Sequence, residues 1–73
     1  MRKLDLHGLT ESEAIGKIQM ALYSFEQNYD DEIEIITGFG SGRLKAVLED
    51  ELYRSGFRWH HRNGNKGSYI ITK

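Results

Sequence analysis

The 73-residue chain contains no cysteine and no proline. Without cysteine, no disulfide can staple a small fold and no thiolate can hold a metal. The same absence fits a reducing compartment, so a cytoplasmic location is expected. Long hydrophobic runs are also missing. Met1–Lys3 is basic, but no apolar stretch follows it, so no secretory signal is read there. The longest apolar run is far too short to cross a bilayer, and no membrane partner is expected. A net charge of −1 argues against an obligate polyanion binder. The length allows one domain, spanning 1–73, with a thin core and a small stability margin.

The charges are unevenly placed. Residues 1–37 carry three Lys/Arg against eight Asp/Glu, and residues 38–73 carry seven against three. Such an asymmetry can mark an anion-facing side, or simply an acidic solvated face on the first helix.

Lys3-Leu4-Asp5-Leu6-His7 alternates polar and apolar residues, which predicts a strand with one buried face. Gly8 ends it. Thr10 precedes Glu13 by three, a capping-box pattern, and Ile15, Ile18, Leu22 and Phe25 follow at helical spacing. The helix is expected from about residue 10 to about 28, with Gly16 inside it at a cost of about 1 kcal/mol relative to Ala. Ile33 to Thr37 is a β-branched strand. Gly38-Phe39-Gly40-Ser41-Gly42 is a loop, and Leu44, Val47, Leu48 and Leu52 predict a second amphipathic helix closed by Gly56. Phe57 to Arg62 and Ser68 to Thr72 read as antiparallel strands around a turn at Asn63-Gly64-Asn65-Lys66. The order β-α-β-α-β-β predicts an α/β two-layer sandwich: a four-stranded mixed sheet with both helices on one face and the other face open.

In parallel strands, the loops at the carboxyl ends share one edge of the sheet, where ligands bind in open α/β folds. Here that edge holds His7-Gly8-Leu9-Thr10 and Thr37 to Gly42, each leading into a helix N-terminus suited to anions. The alternate glycines either let a backbone approach a phosphate or supply the torsions of a tight turn. Alternation puts Asp5 and His7 together on the open face. Such a pair can serve proton transfer, with the carboxylate orienting the ring. It can also offer two ligands to a divalent ion, or be no more than a strand-end histidine bonded to its neighbour. On the third strand Arg58, His60 and Arg62 share one face, and Phe57, Trp59 and His61 the other. Basic side chains with interleaved aromatics suit a phosphate backbone and an unstacked base. The competing reading makes Phe57 and Trp59 core.

Leu4-Asp5-Leu6-His7-Gly8, with Thr10 and Glu13-Ala14 opening a helix, resembles the first signature of the small MutS-related (Smr) domain. Ile36-Thr37-Gly38-Phe39-Gly40-Ser41-Gly42 resembles its second, Thr-Gly-x-Gly. Gly67 to Thr72 resembles its glycine-led final strand. The likeness spans nearly the whole chain, as in a minimal free-standing or excised Smr domain. It implies a fold like the C-terminal domain of bacterial translation initiation factor 3, and binding of DNA or RNA, often with endonucleolytic cleavage. The family's functional positions fall on Asp5 and His7 and on Gly38 and Gly40. Many relatives carry Lys or Arg between those glycines, where this chain has Phe39. That departure removes a phosphate partner and offers a base-stacking ring instead.

The expected function is therefore a nucleic-acid-binding Smr domain with endonuclease activity, by nicking or by RNA cleavage. Catalysis is assigned to Asp5 and His7. Phosphate binding is assigned to Gly8, Thr37, Gly38, Phe39, Gly40, Ser41, Gly42, Arg43, Lys45 and Arg58. RNA supplies its own 2′-hydroxyl and needs no metal, whereas DNA would call for a divalent ion such as Mg or Mn. The alternatives are a non-catalytic nucleic-acid-binding module and a protein-interaction module, docking to the ribosome or to a larger MutS-like protein.

Overall fold

A computed structural model describes residues 2–40 and 42–73. It contains β1 (Arg2–Asp5), α1 (Glu11–Gln27), β2 (Glu32–Ile36), α2 (Gly42–Ser55), β3 (Arg58–Arg62) and β4 (Asn65–Thr72). The predicted order is the observed one. In the sheet the strands run β1-β2-β4-β3, with β1 and β2 parallel and the other neighbours antiparallel.

The helices start and stop where the local chemistry demands. The Thr10 hydroxyl accepts the Glu13 N–H at 3.2 Å, and the Glu13 carboxylate accepts the Thr10 N–H at 2.9 Å. Both bonds satisfy donors that the first helical turn leaves unpaired. Those bonds to Thr10 also hold the exposed Glu13 carboxyl below its ordinary pKa. Gly56, at φ 78°, ends α2 by donating its N–H to the Leu52 carbonyl. Asn63 and Gly64 both take positive φ, as a two-residue turn between β3 and β4 requires.

Side-chain alternation sorts the sheet into two faces. Leu4, Ile35, Tyr69 and His61 lie in one cross-strand row, and Lys3, Glu34, Ile70 and His60 lie in the next. The first row, with Leu6, Ile33 and Ile71, faces Ala14, Ile18, Leu22 and Phe25 of α1 and Leu44, Leu48 and Leu52 of α2. Both helices therefore cover one face. Ala14 rather than Ile15 completes the α1 stripe, with Ile15 half-buried at its flank. Trp59 and Phe57 pack against this core, and Trp59 meets Tyr69 with ring centroids 4.9 Å apart.

One difference from the sequence reading shapes the molecule. β4 begins at Asn65, not Ser68, and its register with β3 shifts between His61 and Arg62. The β2–β4 register is regular, and carried one residue past Ile36–Ser68 it sets Gly67 opposite Thr37, at the start of the loop after β2. The Gly67 carbonyl accepts the N–H groups of Thr37 at 2.9 Å and Gly38 at 3.2 Å. A Cβ on Gly67 would stand 2.9 Å from the Gly38 carbonyl carbon, so only glycine fits without movement. Gly67→Ala should cost about 1–3 kcal/mol through this overpacking. Urea unfolding would read it as a lower midpoint with an unchanged slope.

Candidate functional site

His7 and the glycine loop meet. The carboxyl ends of parallel β1 and β2 bring them to one edge, where a cleft of about 380 Å³ is lined by His7, Gly8, Leu9, Thr37, Gly38, Phe39, Gly40 and Leu44. A Cβ built on Gly38 would lie 3.6 Å from His7 Cδ2, so the imidazole stands beside the loop backbone, about one methyl group away. The ring is exposed, and neither ring nitrogen has a partner among the described residues. Gly8 and Gly38 both adopt φ 82°, a region that favours glycine, and so turn the chain into the cleft from both strands.

The loop amides divide into two sets. Gly38 N–H is directed inward to Gly67, so it is not available to an anion. Among the described residues nothing accepts the N–H of Phe39 or Gly40, and both residues are exposed. Phe39 is 74% exposed, with its ring on the rim of the cleft. Thr37 is buried, and its hydroxyl donates to the Gly38 carbonyl at 3.1 Å. Thr37 therefore braces the loop from below. Ser41 lies outside the described residues.

Asp5 does something other than orient a ring. Its Oδ1 accepts the backbone N–H of His7 at 2.9 Å, fixing the main-chain turn that presents the imidazole. No group of three or more His, Asp or Glu among the described residues is placed to hold a metal ion. Asp5 and His7 alone make a poor set for a divalent cation.

The basic residues separate. Arg43 lies next to the cleft, lining a second depression with Leu9, Thr10, Glu11, Ser12 and Leu44 between the two helix starts. Lys45 is half-buried and lines neither depression. Arg58 is not brought to the cleft. It opens β3 opposite Thr72, at the end of the sheet where β1 and β2 begin and on the far edge from β1. The polarity of β3 puts Arg62, not Arg58, at the end that holds the cleft.

The open sheet face holds a feature that the sequence reading did not single out. Glu34 is 2% exposed although no helix covers it. Its carboxylate accepts from the Ser68 hydroxyl and from Arg62 Nη1 at 3.1 and 3.2 Å, with Lys3 Nζ at 3.9 Å. The Ser68 bond does most to hold the Glu34 carboxyl below its ordinary pKa, against the opposing effect of burial. Its only sequence signal was an acid inside a β-branched strand.

A two-layer domain with a histidine-lined, glycine-bordered cleft at its parallel strand ends defines the class. The Smr domain family model matches residues 4–72, and the chain belongs to that family. The structure is similar to the Smr domain of Thermus thermophilus MutS2, with TM-score 0.87 and 21% identity, covering 99% of this chain and 96% of that one. It is also similar to the human small-MutS related domain, with TM-score 0.80 and 29% identity, covering 97% and 99%. No match was found among curated proteins.

Replacing Glu34 by Gln should lower stability at neutral pH by about 1.5–3 kcal/mol, the range for hydrogen bonds to a charged group. The folded-state pKa lies below the ordinary 4.5, so this stabilisation is complete above that value and fades as pH falls through the folded one. Urea titrations should therefore show the gap between wild type and Glu34→Gln closing on acidification. A gap of constant size would mean that the carboxylate charge is not what the cluster uses.

Proposed function

We propose that this domain binds single-stranded nucleic acid across the His7 cleft and cleaves RNA there. The observation that carries the reading is the cleft that His7 shares with Gly38, Phe39 and Gly40, the last two with N–H groups that nothing accepts among the described residues. Those amides and the positive end of α2 suit a phosphate, and Arg43 adds a full charge next to it. The exposed Phe39 ring suits a base stacked at the rim, which selects unpaired strands over duplex.

In RNA the 2′-hydroxyl of the bound nucleotide is the nucleophile. An imidazole nitrogen of His7 takes its proton as the oxygen attacks the neighbouring phosphorus. The 5′-oxygen leaves with a proton from solvent, and a 2′,3′-cyclic phosphate remains. The loop amides stabilise the charge that develops on the phosphoryl oxygens. Asp5 contributes by holding the His7 main chain, so its role is positioning. Membership of the Smr family supports nucleic acid as the ligand class, and the MutS2 relative supports a larger MutS-like chain as a context for such a domain.

A second reading, binding without cleavage, is favoured by one contact. The Asp5 carboxylate is engaged with the His7 backbone rather than with its ring, so among the described residues the imidazole has no orienting partner.

Two substitutions separate these readings. His7→Ala should abolish RNA cleavage while leaving binding nearly intact, measured on one labelled oligonucleotide by gel and by anisotropy. Equal product from both proteins would remove His7 from the reaction, and no product from either would favour the binding module. Phe39→Ala should weaken single-stranded binding by about 1–3 kcal/mol, and duplex binding much less. In an NMR titration with short RNA, the largest amide shifts are expected at His7, Gly8, Phe39 and Gly40.

A further inference from the structure

Among the described residues β1 is an outer strand of the sheet, paired with β2 alone. The Leu6 N–H donates to the Ile36 carbonyl at 2.8 Å. By alternation, the backbone groups of Leu4 also turn toward β2, and those of Lys3 and Asp5 point away from it along the free edge. Beside this edge, between β1 and α1, runs a cleft of about 370 Å³ with Leu4, Met20, Ala21 and Ile33 in its lining. Met20 is 74% exposed. An unpaired edge flanked by exposed apolar surface is a template for another strand.

We infer that the strand which fits this edge is β1 of a second copy of the chain, run antiparallel about a two-fold axis at Leu4. The choice of register follows from charge. Symmetric pairing can centre on Lys3, Leu4 or Asp5. Centring on Lys3 sets lysine against lysine, and centring on Asp5 sets aspartate against aspartate. Centring on Leu4 sets Lys3 opposite Asp5 of the other copy, twice by symmetry, and Leu4 opposite Leu4. It also makes Lys3 and Asp5 the hydrogen-bonded pairs, so their outward N–H and C=O groups are satisfied by each other. The Lys3 and Asp5 side chains stand on the open face, away from the helices. Leu4 falls on the helix side, where the Met20 side chains close over it. A lysine on an edge strand ordinarily repels a second copy, but in this one register it is matched. The seam is short, so the dimer belongs to the weak, concentration-dependent class. It joins two sheets into one of eight strands. The two His7 residues then lie about 20 Å apart along the seam, at the strand rise of about 3.3 Å per residue.

Sedimentation equilibrium on the wild-type chain from micromolar to millimolar concentration tests this. The mass should climb from one chain toward two. Lys3→Asp sets like charges opposite each other and should hold the mass at one chain throughout. Lys3→Asp combined with Asp5→Lys restores opposite charges and should recover the dimer, with circular dichroism checking that each variant folds. Should the strand variants fail to fold, Met20→Lys tests the same seam from an exposed helix position and should weaken association at least tenfold. A wild-type mass of one chain at every concentration would overturn the proposal. So would a Met20→Lys or folded Lys3→Asp protein that associates as tightly as wild type. These readouts need no nucleic acid, so their outcome is independent of the reading proposed for the cleft.

Discussion

The Gly67 carbonyl, shared by the N–H groups of Thr37 and Gly38, is the contact on which the candidate site depends. It ties the loop after β2 to the central strand β4. The loop must therefore leave the sheet at one angle, with Gly38 beside His7 in the cleft and Phe39 and Gly40 exposed. The close approach leaves no room for a side chain at Gly67, and it follows from the antiparallel register of β2 and β4, which sets Gly67 opposite Thr37. The cleft is thus held from the middle of the sheet, not only by the strands whose ends form it.

The two faces of the sheet do different work. The helical side is apolar and supplies the burial that a chain of this length needs. The open side is built around a carboxylate, with Ser68, Arg62 and Lys3 gathered on Glu34. An ion pair of this kind is modest evidence for stability, but removing one partner leaves a charge that water reaches poorly. It also partly neutralises Arg62 and Lys3. The open face is therefore less basic than a count of its cations suggests.

Several parts of this arrangement were legible in the chain. Period-two alternation placed Leu4 and Leu6 beneath the helices and Asp5 on the open side. The Thr10–Glu13 spacing marked the start of α1, and Asn63-Gly64 marked the hairpin. The two glycine motifs pointed to a shared edge because parallel strands joined by a crossover helix must end together. The sequence left Asp5 open between orienting the ring and bonding to its neighbour, and the structure shows a bond to the neighbour's main chain. Spacing shows that a carboxylate and an imidazole share a face, but not whether the nearer donor is a ring nitrogen or a main-chain N–H.

What the sequence by itself determined is the set of elements, their order and the face each side chain takes. These follow from local torsional preference and from the need to bury one stripe of each element. Only the tertiary structure decided which strands are neighbours and in what register. That choice sent Arg58 to the far corner, brought Gly67 onto Gly38, and buried Glu34 beside Ser68 and Arg62. Such contacts join residues some 30 positions apart, and they are fixed by strand order and by a one-strand irregularity that no local pattern encodes.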